Sequence, residues 1–313
     1  MTVGVLVMAH GTPATPEEIE PFYTRIRRGR PPTAEQLADL RRRYEAIGGT
    51  SPLAARTEAQ VAGLAARLEG EAPGRYLVRY GAKHTEPAIE RAAAEVAAAG
   101  ADGAVGLVLA PHRSSLGTEE YLTRAAGVFA EAGIPFFAVH QWYDEPGFAD
   151  LLAGRVRSAL ASMGAQRPMV VFTAHSLPVR AAGTYPDQLE ASAAAIARSA
   201  GLGDGWRVAW QSAGRTPEPW LGPDVLQVLG ELRPEGHDAV VVCPVGFVSD
   251  HLEVLYDLDV EARRVAERAG LTFGRTSSLN DDPGLTAILA RVVREAAGDV
   301  ASAAPVPDRD GRG

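Results

Sequence analysis

Cysteine is almost absent, with Cys243 alone among 313 residues. That excludes an intrachain disulfide, an all-thiolate zinc site and an iron–sulfur cluster held by four thiolates. Lysine is equally scarce. Lys83 is the single copy, so a Schiff base or a G-K-[ST] phosphate loop would have to use it, and Gly81-Ala82-Lys83-His84 is neither context. No G-x-G-x-x-G follows a strand, which removes the usual signature of a nucleotide cofactor. No apolar run approaches eighteen residues, and the first eight residues lack the charged start of a signal peptide. Positive charge is in deficit too. Lys+Arg 31 against Asp+Glu 39 leaves a net −8, which argues against nucleic acid and anionic membranes as partners. The expectation is a cytoplasmic protein with no membrane span and no nucleic-acid partner.

What is present suits a large α/β fold. At about 150 residues per domain the length allows two domains. Short β-branched runs alternate with longer Ala-, Leu-, Arg- and Glu-rich stretches of 3.6 periodicity, the pattern of parallel strands joined by crossover helices. Strands are expected near 3–9, 76–80, 104–110 and 136–139, then near 169–173, 207–210, 239–243 and 272–273. The halves resemble each other. Val5-Leu6-Val7-Met8-Ala9-His10-Gly11-Thr12-Pro13 matches Val170-Val171-Phe172-Thr173-Ala174-His175-Ser176-Leu177-Pro178 at four of nine positions, at an offset of 165. Thr85-Glu86-Pro87 is echoed by Thr216-Pro217-Glu218-Pro219, and Pro111 and Pro244 lie 25 and 26 residues beyond those glutamates. Two similar α/β domains with parallel sheets follow, 1–164 and 165–313, related by an approximate internal duplication. The first carries an insertion of about 33 residues near 25–57. A proline- and glycine-containing tail, 299–313, is expected to be disordered.

The insertion concentrates arginine in an acidic protein: Arg25, Arg27, Arg28 and Arg30, then Arg41, Arg42 and Arg43 before Tyr44. One reading is a solvated helix face; the other is a lid whose guanidiniums clamp carboxylates or phosphates of a ligand. Ligands of open α/β sheets collect at the carboxyl ends of strands, where His10 and His175 both stand. Further on, Ser249 or Asp250 can cap a helix, on which Glu253, Asp257 and Glu261 recur at i, i+4 and i+8. Three like charges in one row repel unless a cation lies alongside, and Arg263 and Arg264 are the nearby compensators in sequence. Such oxygen donors leading towards an imidazole suit a divalent cation, with Glu253 and His175 as inner ligands. Residue types alone leave Fe(II), Co(II), Mn(II) and Zn(II) open.

Two long segments then carry a resemblance. Val171-Phe172-Thr173-Ala174-His175-Ser176-Leu177-Pro178 and Val245-Gly246-Phe247-Val248-Ser249-Asp250-His251-Leu252-Glu253-Val254-Leu255-Tyr256-Asp257 resemble the two signatures of ferrochelatases. Trp210-Gln211-Ser212, Pro219-Trp220-Leu221-Gly222-Pro223, Gly183-Thr184-Tyr185-Pro186-Asp187-Gln188 and Tyr44-Glu45-Ala46-Ile47-Gly48-Gly49-Thr50-Ser51-Pro52-Leu53 are similar to the family as well. The likeness is strongest to soluble Gram-positive members that metallate coproporphyrin III.

The resemblance implies two Rossmann-like domains around a cleft, a chelatase-like fold. It implies Fe(II) and coproporphyrin III as substrates, with His175 and Glu253 as metal ligands or proton acceptors. Asp257 and Glu261 would extend the metal path, with an auxiliary divalent cation near them. Arg27, Arg43, Tyr44, Ser51 and Tyr121 would hold the porphyrin. His10 stands where those enzymes commonly carry a tyrosine, which makes it a candidate ligand for product iron. A monomer meeting haem-pathway enzymes only transiently is expected, with no iron–sulfur cluster. A protoporphyrin IX ferrochelatase, a cobalt or nickel chelatase and a non-catalytic tetrapyrrole carrier remain the alternatives.

Overall fold

The computed structural model describes residues 1–303. In chain order the first half contains β1 (Val3–Ala9), α1 (Ile19–Ile26), α2 (Ala34–Ala46), α3 (Leu53–Glu71), β2 (Tyr76–Ala82), α4 (Ile89–Ala98), β3 (Gly103–Val108), α5 (Thr118–Glu131), β4 (Phe136–Val139) and α6 (Phe148–Met163). The second contains β5 (Pro168–His175), α7 (Tyr185–Ala200), β6 (Trp206–Gln211), α8 (Val225–Leu232), β7 (Ala239–Cys243), α9 (Leu252–Leu255), α10 (Arg263–Arg268), β8 (Thr272–Arg275) and α11 (Pro283–Ala303). Every strand pairing is parallel. The sheets have orders β2-β1-β3-β4 and β6-β5-β7-β8, the same topology twice.

Alternation along the central strands covers both faces of each sheet. Val5 and Val7 point into one apolar cluster and Leu6 and Met8 into another. Val170, Phe172 and Ala174 likewise oppose Met169 and Val171. The inner faces share a single cluster, which joins Val5, Val7 and Leu107 to Phe172 and Val241 through side chains of α3, α6, α7 and α11. The strands fall on either side of residue 164, but two helices are exchanged across it. α6 packs on α7, β7 and β8, while α11 returns to α3, β3 and β4.

Strand register fixes the internal correspondence. Ala9 pairs with Ala82 and Ala174 with Trp210, and the amides of Ala82 and Trp210 donate to the carbonyls of Pro87 and Pro223. His10 and His175 are therefore equivalent, at the offset of 165. The proline correspondence read from sequence needs correction: Pro87 matches Pro223, and Pro244 aligns with Val108 rather than Pro111. The loop after β6 is longer than the loop after β2, so its Glu–Pro echo falls inside extra residues.

The additional elements of the first half are α1 and α2, spanning 19–46; the end of the stretch read as an insertion, 25–57, already belongs to α3. Thr33 and Gln36 form a reciprocal capping box that fixes the start of α2. The expected irregular tail also needs correction. α11 continues to Ala303, since no proline or glycine interrupts 299–303 and Val293 and Ala297 anchor the helix in the core. The rest of 299–313 lies outside the described residues.

Candidate functional site

β5 ends at His175, whose Nδ1–H donates to the Ser176 carbonyl at 2.5 Å. That leaves Nε2 facing Glu253 Oε1 at 3.6 Å. Glu253 stands on the first turn of α9, reached by the loop after β7, and Gly246 is what lets this loop cross the end of β5. A Cβ there would lie 2.5 Å from the Cβ of Ala174. The expected cap at Ser249 or Asp250 is not made. Helix α9 starts at Leu252 after His251, with no side-chain cap. Asp250 instead accepts from Ser278 Oγ and Asn280 Nδ2 and pairs with Arg275.

The single α-helical row of carboxylates is likewise corrected. After the short α9 the chain enters a π-helix over Asp257–Ala262, in which the Glu261 amide reaches back to the Tyr256 carbonyl. An i, i+4 spacing cannot distinguish the two helix types. Asp257 still feels its acidic neighbours: burial and the charge of Glu253, with a smaller share from Glu261, push its carboxyl up to about 7. The compensating cation is Arg43 of α2, whose Nη1 lies 3.4 Å from Asp257 Oδ1. Arg263 is engaged elsewhere, donating to the Asp259 carbonyl and lying over Phe273.

Three residues outside the expected set, Gln211, Ser212 and His251, hold this arrangement, with Thr173 behind Gln211. Thr173 Oγ1 donates to Gln211 Oε1, and Gln211 Nε2 donates to the Glu253 carbonyl at 2.9 Å. Ser212 sits at φ 61, a left-handed conformation uncommon for serine, and its hydroxyl donates to Asp257 Oδ2 at 2.5 Å. His251 places Nε2 3.7 Å from Glu253 Oε2, so two imidazoles flank one carboxylate. Their signal was the Trp210-Gln211-Ser212 and Ser249-Asp250-His251 motifs; their roles depend on two loops meeting in space.

The electrostatics follow from this geometry. Burial alone would lower the His175 pKa, but the Glu253 carboxylate outweighs it and lifts the imidazole to about 9. Burial likewise acts to raise Glu253, yet His175 and His251 hold it well below the ordinary carboxylate range. Both side chains remain about a third exposed, at 35% and 37%. The pair is thus imidazolium and carboxylate at neutral pH.

The first half contributes the opposite wall. His10 follows β1, and its Nδ1–H donates to the Gly11 carbonyl, the same lock as in His175. Gly11 adopts φ +81, and a Cβ there would strike Thr85. Desolvation lowers the His10 pKa despite the opposing charge of Glu253. His84 lies beside it, with ring centroids 4.7 Å apart, and burial with the charge of neighbouring cations brings that imidazole down to about 3.

Tyr44 is buried, with its hydroxyl 3.5 Å from Thr12 Oγ1, and burial pushes it up to about 12. Tyr121 is buried beneath the ammonium of Lys83, and burial raises its phenol. The Glu253 charge acts to raise both phenols further. Ser51 caps the start of α3 through the Leu53 amide. Arg27 lies at the end of α1, its Nε donating to the Arg30 carbonyl. Among the described residues no three His, Cys, Asp or Glu side chains converge to hold a metal ion.

The ferrochelatase family model matches residues 2–297. The chain belongs to the ferrochelatase family. Relatives named coproporphyrin III ferrochelatase from Geobacillus kaustophilus and Bacillus subtilis are each 45% identical, covering 93% of this chain and 95% and 96% of theirs. A Herpetosiphon aurantiacus relative named ferrochelatase is 42% identical over 92% of this chain and 97% of its own. Among solved structures, Bacillus subtilis SirB with Fe3+ superposes with a TM-score of 0.62 at 12% identity, covering 97% of this chain and 99% of SirB. CbiX, an enzyme of sirohaem biosynthesis, gives 0.53 at 17% identity, covering 94% and 99%. These two likenesses concern the fold alone. No helix among the described residues is long and apolar enough to cross a membrane.

Proposed function

We propose that this chain inserts Fe(II) into coproporphyrin III to give coprohaem, releasing two protons. The supporting observation is 45% identity over 93% of the chain to coproporphyrin III ferrochelatases, joined to the His175–Glu253 pair at the end of β5. Iron is a substrate here, so the site has to grip it briefly.

Glu253, charged throughout the working pH range, supplies a carboxylate for iron or for a pyrrole proton. His175 starts protonated and surrenders its proton as Fe(II) approaches Nε2, which makes metal binding compete with acid. Asp257 and Glu261 continue the polar path along which hydrated metal approaches and protons leave, with an auxiliary divalent cation near them. Arg27, Arg43, Tyr44, Ser51 and Tyr121 hold the ring and its propionates. The arginine-rich α1–α2 segment is the natural receptor for carboxylates in an acidic protein. Binding energy from these remote contacts distorts the flat macrocycle, turning pyrrole lone pairs towards the metal. His10 offers a neutral imidazole to the product iron.

The test is an anaerobic mixture of protein, Fe(II) and either coproporphyrin III or protoporphyrin IX, followed by free-porphyrin fluorescence. Catalytic loss of coproporphyrin fluorescence is expected. Better turnover of protoporphyrin would replace the substrate, and stoichiometric binding without metallation would make the protein a carrier.

A further inference from the structure

Asn280, in the loop after β8, sits at φ 48, in the left-handed region that asparagine enters more readily than most side chains. Its polar groups all have partners. The backbone amide donates to the Val248 carbonyl at 2.7 Å, Oδ1 accepts from the Asp250 amide at 2.9 Å, and Nδ2 donates to Asp250 Oδ2 at 2.8 Å. Its carbonyl accepts from Gln60 Nε2 of α3 at 2.7 Å. Asn280 thus grips the loop after β7 at Val248 and Asp250, just ahead of Glu253, and is itself gripped by the first half.

The contact with Gln60 persists although it leaves an acceptor dry. Gln60 is 3% exposed, and its Oε1 is buried without a hydrogen-bond partner among the described residues. Turning the amide over would set Oε1 against the Asn280 carbonyl, so the donor has to face Asn280. An apolar side chain would fill this place on α3 without an orphaned oxygen, and the amide is explained by the bond it makes across the two halves. Asp250 is braced from its own half as well, by Ser278 Oγ at 2.7 Å and Arg275 Nη1 at 3.4 Å. The loop ahead of Glu253 is therefore stiff, and its tie to α3 sets where it stands relative to the first half.

We infer that Asn280 is a positioning residue for Glu253, joining the loop that leads to this carboxylate to α3, the helix whose start Ser51 caps. It fixes the distance between Glu253 and the ring-holding wall of the first half. This role rests on the proposed metallation of a tetrapyrrole and adds to it a part for Asn280 and Gln60, which act through Glu253 rather than on the substrates. A ring held by one half has to meet a carboxylate carried by the other, and a misplacement of about 1 Å between reacting groups can cost about 100-fold in rate.

Asn280→Gly accommodates the left-handed backbone and keeps the bonds to Val248 and Gln60, while removing the side-chain amide that holds Asp250. With Fe(II) and coproporphyrin III under anaerobic conditions, its kcat is expected to fall about tenfold while the porphyrin KM, and the Kd read from porphyrin fluorescence, stay within about twofold of wild type. Gln60→Leu tests the same tie from α3 without touching the loop, and should lower kcat about threefold. Neither change should cost anything further in a Glu253→Gln background, since a residue acting through Glu253 then has nothing left to position. Arg56→Met, which breaks the neighbouring exposed pair with Asp281 at 3.1 Å, should leave kcat within about twofold. A wild-type kcat in Asn280→Gly, or an equal loss with and without Glu253, overturns the positioning role and leaves the metallation reading intact. Full turnover in Glu253→Gln itself overturns the chemistry proposed for that carboxylate and the positioning role with it.

Discussion

His10 and His175 occupy the same place in two copies of one topology, yet one is neutral and the other an imidazolium. Each ends the central strand of its sheet, and each donates Nδ1–H to the carbonyl that follows. The difference arises one loop away. After β7 the chain delivers Glu253 to His175, whereas after β3 it turns His112 inward to bond Ser192 on α7 at 2.9 Å. Duplication of the fold has supplied two equivalent imidazoles, and the loop of the third strand has decided which becomes an imidazolium. Of the two equivalent histidines it is His175 that is thereby paired with a carboxylate among the described residues, which suits the second half to the proposed metal and proton chemistry.

Glu253→Gln breaks the comparison most directly, because it makes the surroundings of His175 resemble those of His10. Turnover is expected to fall about 100-fold or more, the usual scale for removing an acid–base group. The His175 imidazole should drop from about 9 towards or below its ordinary range, read from its ring proton shifts. A variant that keeps full turnover would show that the asymmetry between the halves is incidental to catalysis.

Gly246→Ala tests how the asymmetry is built. The added methyl would press on Ala174 and push the loop away from His175. Overpacking of this kind costs about 1–3 kcal/mol of stability, measurable in urea. Displacement of Glu253 should lower turnover about tenfold while porphyrin affinity changes little. Equal loss of both would mean that the loop shapes the whole cleft rather than the pair.

The architecture was legible in sequence because parallel strands buried on both faces are short, continuous apolar runs that helices interrupt. The end of β5 at His175 and the 165-residue offset could be read from two nine-residue segments. The exchange of α6 and α11 between the sheets could not, since either helix has an apolar stripe that fits either sheet. At the site, His175 and Glu253 stood out as chemistry-bearing residues after strands. Arg43 and Asp257 lie 214 positions apart, and their pairing exists only in the folded cleft. The π-helix was hidden because i, i+4 carboxylates look the same on paper in either helix.

Stability against pH offers a smaller effect with opposite signs in the two halves. His175 has a folded pKa of about 9, above its unfolded value near 6.5, so its contribution is complete below pH 6.5 and is lost as pH rises through 9. Screening by solvent at a side chain 35% exposed reduces this to about 1 kcal/mol. His10 has a lowered pKa, so its neutral form supports folding above pH 6.5 and that support is lost as pH falls. Urea unfolding at pH 5.5, 7 and 9 should show His175→Ala flattening the alkaline side and His10→Ala the acid side. The same slope in both variants would contradict the charge assignment.

The smallest change in rate is expected for His10→Ala, and it separates position from role most cleanly. If the two histidines worked as equivalent bases, losing either would stop metallation. His10 has no carboxylate paired to it among the described residues and is neutral, so it is suited to donate electrons through Nε2 to an iron already in the ring rather than to take protons from it. Turnover should therefore fall no more than about threefold, a small fraction of the effect at an acid–base position. The absorption and resonance spectra of bound ferric product should meanwhile lose the features of an imidazole ligand. A spectrum identical to wild type would remove His10 from the iron, and a rate loss as large as that of Glu253→Gln would return it to the chemistry of its counterpart.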